Sequence, residues 1–278
     1  MIKQRTIKNT VEITGTGLQT GEKVKLTLKS SPPNTGINFI RTDIPNKPLI
    51  SVRSLDLGSM GRMDRRTTLG IGPIEVQTIE HIMAALSGLS IDNIIIESDR
   101  PEPPGLDGSA RGFLEALKGA GIEEQAAPRA FIEVGEPVWC SGDNGAFLAA
   151  FPDKEFSISY TLSYDRGSIG NQFFSSVINE AVFARDIAPA RTFCLEEEAA
   201  ELLRRGLGKG ANYENTLVIG KDGPIKNTPR FPDEPVRHKV LDLIGDLYLA
   251  GLPVKGRIVA IKSGHRLNME LAKRLKGG

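Results

Sequence analysis

The stretch Val236-Arg237-His238-Lys239-Val240-Leu241-Asp242-Leu243-Ile244-Gly245-Asp246 organises the reading of the chain. His238, Asp242 and Asp246 stand four residues apart, so a helix stacks them along one face. Val240, Leu241, Leu243, Ile244 and Leu247 fill the other faces. The polar stripe therefore lies against apolar surface rather than on a freely solvated side. A His and a carboxylate one turn apart can reach the same ion. Taken alone, HxxxD is more often a surface His–Asp pair, so the rest of the chain decides.

The chain has 278 residues, 40% of them hydrophobic and 25% charged. That is an ordinary globular composition with room for one large or two medium domains. A net charge of +1 argues against a protein whose affinity rests on neutralising phosphates, and no nucleic-acid partner is expected. The two cysteines, Cys140 and Cys194, form neither a disulfide framework nor a CxxC site. The N-terminal MIKQRTIKNTVE lacks the apolar core of a signal peptide. No run reaches the roughly 18 apolar residues of a membrane span. The expectation is a soluble cytoplasmic protein with no transmembrane segment and no obligate protein partner.

Outward from the opening stretch, strands and helices mix. Val24 to Lys29 alternates as a strand, followed by strand-like Ile37 to Ile40 and Leu49 to Val52. Thr78 to Leu86 reads as a helix, with Thr78 as N-cap and Gly88 as its end. Asn93 to Glu97 is a buried strand, and Ser109 caps a helix over Ala110 to Leu117. Arg62-Met63-Asp64-Arg65-Arg66 reads as a solvated charged loop. Glu123 to Arg129 loses periodicity and contains a Pro, which marks a linker. Strands resume at Ala130 to Val134, Ala146 to Ala150, Phe156 to Leu162 and Arg257 to Lys262. Glu196 to Arg205, Pro235 to Ala250 and Leu267 to Leu275 read as helices, with Ser263-Gly264-His265 as a turn before the last. The loop Gly206-Leu207-Gly208-Lys209-Gly210 lacks the form of a phosphate-binding loop. No internal repeat is visible. The fold class is α+β, with domains over 1–126 and 127–278.

The chain uses only three histidines, and each lies beside an acid or in a turn. Two His and one carboxylate make the open ligand set of catalytic zinc, and His81, His238 and Asp242 would supply it. Glu80, adjacent to a ligand, is a candidate base. His265 is a candidate cationic acid, with Asp246 placed to orient its imidazole and favour the protonated form. These assignments predict a bell-shaped pH profile, its acid limb from Glu80 and its basic limb from His265. The same triad also describes the facial site of non-haem Fe(II) oxygenases, although those take HxD on a strand rather than HxxxD on a helix. A non-catalytic binding domain is the alternative from another class, and the near-neutral charge disfavours it.

Thr78-Ile79-Glu80-His81, running into Ala84-Ala85-Leu86-Ser87-Gly88-Leu89-Ser90-Ile91-Asp92-Asn93, resembles the T-V-E-H…A-A-L-x-G-L-G-I-D-N signature of the UDP-3-O-acyl-N-acetylglucosamine deacetylases (LpxC). So do Leu106-Asp107-Gly108-Ser109, Ala190-Arg191-Thr192-Phe193, the opening stretch and Lys262-Ser263-Gly264-His265, in order along the chain. The resemblance implies zinc-dependent removal of acetate from UDP-3-O-(3-hydroxyacyl)-N-acetylglucosamine, the committed step of lipid A synthesis in Gram-negative bacteria. It implies two similar two-layer α/β sandwich domains with their helix layers packed together and the active site between them. His81, His238 and Asp242 then match the ligands of one Zn2+ per chain, Glu80 the general base, His265 the second catalytic group and Asp246 its partner. Thr192 matches the residue that helps hold the oxyanion. Lys239, Lys262 and Phe193 match substrate-binding residues for the UDP-linked acylated amino sugar. The segment from Leu195 to Thr216 matches an insert that forms an apolar acyl passage. One departure is visible: the family's early G-L-H-[ST]-G is here Gly17-Leu18-Gln19-Thr20-Gly21. Gln19 cannot carry charge or bind a metal as His does. The zinc and acid–base positions are intact, so an active enzyme is expected.

Overall fold

The structure, a computed structural model, describes residues 1–54, 57, 65–164 and 168–277. Of the charged run read as a solvated loop, Arg62, Met63 and Asp64 lie outside the described residues. The architecture is mixed α and β, as expected from the sequence.

Two large sheets carry the fold. The first contains β2 (Val11–Thr16), β3 (Lys23–Ser30), β4 (Ile37–Arg41), β5 (Leu49–Ser51) and β8 (Ile94–Ser98), in the order β2-β3-β8-β4-β5. The second contains β11 (Val138–Ser141), β12 (Phe147–Phe151), β13 (Phe156–Ser163), β14 (Asn171–Val177) and β17 (Val254–Ile261), in the order β11-β12-β17-β13-β14, with β10 (Ile132–Glu133) also pairing β17. The two orders are the same arrangement. In each, the last strand in sequence inserts at the centre, antiparallel to the second strand and parallel to the third. A parallel neighbour requires a crossover. The crossovers contain α1 (Glu80–Gly88) and α5 (Glu234–Tyr248), and α2 (Arg111–Gly119) and α6 (His265–Gly277) follow the two central strands. The repeat invisible in the sequence is thus present in the topology. Strand order depends on apolar alternation and turn positions, which many unrelated sequences satisfy.

Smaller elements complete the chain. The hairpin β6 (Thr68–Ile71) and β7 (Ile74–Gln77) leads into α1. The parallel pair β15 (Phe193–Leu195) and β16 (Leu217–Ile219) brackets α4 (Glu196–Arg204), and α3 (Glu180–Val182) runs into a π turn over Phe183–Ile187. The segment read as a linker is instead strand β9 (Ile122–Pro128), paired antiparallel with β1 (Lys3–Ile7). Its residues alternate only between half-buried and exposed, so it carries no apolar period. Its backbone pairing and the bonds of Gln125 to Asn93 and to the Ser31 carbonyl hold it in place.

α1 and α5 pack against each other at the centre. Ile79, Ile82, Met83 and Leu86 are fully buried, and α5 buries every residue except Arg237 and Lys239. The apolar faces of α5 are covered by α1, α6, β13 and β14. Each Leu or Ile so buried contributes roughly 1.5–3 kcal/mol relative to exposure. Gly245 makes the close approach possible. A Cβ there would lie 2.1 Å from Glu80 O and 3.1 Å from Ala84 N.

Two local readings need correction. Thr78 is not the N-cap of α1: its φ is +55° and Ile79 occupies the cap position. Its hydroxyl is buried without a hydrogen-bond partner among the described residues. His265 is the first residue of α6 rather than part of the preceding turn. The turn is set by Lys262, with φ +52°, and by the Tyr160 hydroxyl, which donates to the Ser263 carbonyl.

Candidate active site

Helix geometry brings the polar residues of α5 to the α1 contact. His238, Asp242 and Asp246 are 3%, 3% and 0% exposed, so the stripe is an interior face. Across it, α1 presents Glu80 and His81, both buried. The His81 and His238 rings meet edge to face with centroids 5.1 Å apart. Ligand atoms of His81, His238 and Asp242 all lie within 4.8 Å of one another, a set that could hold a metal ion.

The chemistry of these donors fits a cation. His238 Nδ1 lies 3.1 Å from Ala190 O, so Nδ1–H donates there and Nε2 keeps its lone pair. That Nε2 faces Asp242 Oδ1 at 3.3 Å. Burial, with His238 alongside, pushes His81 down to about 3, and burial also lowers His238. Both shifts favour the neutral ring, the form whose lone pair can bind a metal. Burial alone would raise Asp242, but His238 and Lys239 hold it well below the carboxylate range, with Lys239 Nζ 2.7 Å from Oδ2. Two imidazoles shifted towards the neutral form and a carboxylate held in its ionised form converge on one space, a donor set that fits a metal ion.

The site's anchors come from neighbouring elements. Arg191 and Glu234 form a buried ion pair, Nε to Oε1 at 2.9 Å, and Arg191 N also donates to Glu234 at 2.9 Å. This pins the segment carrying Ala190 and Thr192 to the start of α5. Thr192 N donates to Gly108 O at 2.8 Å. Gly108 has φ +77°, and a Cβ there would lie 1.7 Å from Asn215 O, which explains a glycine in that turn.

The second group of titratable residues lies beside the first. His265 Nδ1 is 2.9 Å from Asp246 Oδ2, and Nε2 is 3.9 Å from Asp242 Oδ2. Burial opposes charge on His265, yet Asp246 and then Asp242 outweigh it and raise the group to about 9. Glu80 is pushed up to about 7 by burial, with Asp242 and Asp246 adding repulsion against the pull of His265. A carboxyl raised toward neutral pH and an imidazole raised above it lie buried beside the possible metal site, an arrangement that can serve acid–base chemistry.

A cavity of about 900 Å³ opens over this cluster. Glu80, His81, Thr192, Phe193, His238, Lys239, Asp242 and His265 line it. Asp246 sits beneath His265, and Lys262 is not part of the lining. At one end Leu18, Gln19, Leu202, Gly208 and Ala211 face the cavity. Gln19 Oε1 accepts from Gly208 N at 3.0 Å, and Gln19 O accepts from Lys209 N at 3.1 Å. Gln19 thus fastens the glycine-rich loop. Two buried residues escaped the sequence reading: Asn268, which donates to Asp246 at 2.9 Å, and Thr67, which touches both Asp246 and His265. Asn268 lies three residues past His265, the helical spacing that could have revealed it. Thr67 carries no such signal.

Comparison with known proteins gives the same direction. Residues 4–277 match the UDP-3-O-acyl N-acetylglycosamine deacetylase (LpxC) family. A UDP-3-O-acyl-N-acetylglucosamine deacetylase of Chlamydia abortus is 41% identical over 274 residues, covering 98% of this chain and 96% of that protein. One from Coxiella burnetii is 38% identical over 278 residues, covering 99% of this chain and 90% of that protein. A bifunctional LpxC/FabZ enzyme of Chlorobaculum tepidum is 38% identical, and the chain spans 64% of its length. With a family match from residue 4 to residue 277 and relatives of comparable length aligned almost end to end, the chain belongs to the UDP-3-O-acyl N-acetylglycosamine deacetylase family.

Proposed function

We propose that the chain is a zinc metallo-deacetylase that removes acetate from UDP-3-O-(3-hydroxyacyl)-N-acetylglucosamine, the committed step of lipid A biosynthesis, in the cytoplasm of a Gram-negative cell. The observation that carries this reading is the convergence, at the α1–α5 contact, of a possible metal-ligand triad with a raised carboxyl and a cationic imidazole.

His81, His238 and Asp242 would hold one zinc ion. Zinc in that position supplies Lewis-acid polarisation of the amide carbonyl and acidification of a water molecule. Glu80 accepts the proton of the attacking water. Protonated His265, held by Asp246, offers a proton at Nε2 to the leaving nitrogen, so the C–N bond breaks to give acetate and the free amine. Thr192 donates its hydroxyl to the developing oxyanion. Lys239 and Phe193 contact the nucleotide sugar from the cavity wall, and Lys262 is assigned to substrate from the family resemblance alone. The leucine-lined end near Gly208 receives the acyl chain, in keeping with an insert over residues 195–216. The chain divides into two similar α+β sandwich domains, 1–126 and 127–278, with helix layers face to face. The shared strand order of the two large sheets and the packing of α1 on α5 support this division.

The test is incubation of the purified protein with the UDP-linked substrate, quantifying acetate and free amine. Equimolar appearance of both is expected. Substrate recovered intact counts against the reading.

A further inference from the structure

Glu80, Asp246 and His265 come from three different helices, and Thr67 stands where they meet. It is fully buried, just ahead of β6. Its backbone N–H donates to Glu80 Oε2 at 3.1 Å. Its hydroxyl lies 2.5 Å from Asp246 Oδ1 and 3.1 Å from His265 Nδ1. A carboxylate only accepts, so the hydroxyl proton points to Asp246. His265 Nδ1–H, directed at Asp246 Oδ2 from 2.9 Å, then shares its proton with the Thr67 lone pair. Among the described residues Thr67 is the donor to Asp246 Oδ1, while Oδ2 takes His265 and Asn268. The same oxygen thus donates and accepts, which neither Val nor Ala can do.

We propose that Thr67 is a positioning residue that ties Glu80 to the His265–Asp246 pair, fixing the two proton-handling groups relative to each other. The role rests on the deacetylase reading, since it concerns where the water's proton is taken and the amine's proton is given. A hydroxyl that links both partners at once restrains them more tightly than either pairwise contact.

The test uses full-length wild type, Thr67→Val and Thr67→Ser. Acetate release gives kcat and KM, with bound zinc and thermal midpoint measured on the same samples. Separately, the His265 ring N–H is followed by proton–nitrogen NMR in the metal-free protein. Thr67→Val is expected to lower kcat roughly 10- to 100-fold with KM changed less than about twofold, the pattern of a misaligned catalytic group rather than lost binding. Its zinc content stays at the wild-type level, and its His265 N–H resonance moves upfield and exchanges faster with water. Thr67→Ser keeps the hydroxyl and should stay within about threefold of wild-type kcat, with the N–H signal in place. A wild-type kcat in Thr67→Val overturns the proposal. So does a Thr67→Ser variant that falls as far as Thr67→Val, which would assign the role to packing of the methyl group. Should Thr67→Val not fold, the retained rate and N–H signal of Thr67→Ser against their loss in Thr67→Ala decide the matter. If wild type releases no acetate, the deacetylase reading fails, and the NMR comparison alone decides whether Thr67 holds His265.

Discussion

Gly245 meets the backbone carbonyl of Glu80 so closely that a Cβ at position 245 would lie 2.1 Å from that oxygen. This contact sets the distance between the helix carrying Glu80 and His81 and the helix carrying His238, Asp242 and Asp246. Replacing Gly245 by Ala forces the helices apart. Overpacking of this kind costs about 1–3 kcal/mol. In a protein of this size the thermal midpoint should fall by several degrees, at roughly 2–4 °C per kcal/mol. Glu80 moves with its backbone, so acetate release should fall further than stability does. A Gly245→Ala protein with unaltered midpoint and rate would show that the contact does not set the site.

Asp242 and Asp246 stand one turn apart on the same helix and are assigned different tasks. Asp242→Ala removes a proposed ligand and should lose zinc. Asp246→Ala should keep zinc within about twofold, while its rate falls roughly 100-fold or more as His265 loses its orienting partner. Elemental analysis of both purified variants decides this, and equal metal loss in the two contradicts the division of roles.

The pH dependence follows from the signs of the two shifts. In the proposed mechanism Glu80 acts as its carboxylate; it is raised to about 7, so the rate should climb as pH rises through that value. In the same mechanism His265 acts protonated; it is raised to about 9, so the rate should decline as pH rises through that value. The profile of kcat/KM should be bell-shaped with its plateau between them. His265→Ala should lose the basic limb and retain the acid limb. An unchanged basic limb in that variant removes His265 from the assignment.

Gln19 fastens Gly208, and both line the cavity together with Leu18 and Leu202. Loss of one such hydrogen bond costs about 0.5–1.5 kcal/mol, a few-fold in binding. Gln19→Ala should therefore raise KM for a long-acyl substrate a few-fold and leave kcat unchanged. Comparison of long- and short-acyl substrates checks this. A fall in kcat that is the same for both would place Gln19 in the chemistry instead.

Much of the site is legible in the sequence because it is written in local spacing. The four-residue steps from His238 to Asp242 to Asp246 identify a helix face by themselves, and the fold keeps all three on one buried face. Glu80 beside His81 at the head of a helix is legible in the same way. Their meeting across the fold is not, because it depends on the absence of a side chain at Gly245 and on two crossovers that bring distant helices together. Thr67 is invisible for a related reason: a threonine just before a short strand has no period and no charge. Thr78 misleads because a Thr before a helix usually caps it, whereas here the positive φ removes its hydroxyl from the cap. The strand β9 reads as a linker because its pairing is made by backbone and amide hydrogen bonds rather than by an apolar pattern.

The most direct test of the central claim is acetate release from the UDP-linked substrate by protein as purified, after chelation, and after zinc is returned, with bound metal counted at each stage. Release at about one zinc per chain, lost on chelation and restored by zinc, is the predicted result. Acetate release that persists in metal-free protein, or full zinc occupancy in Asp242→Ala, would contradict it.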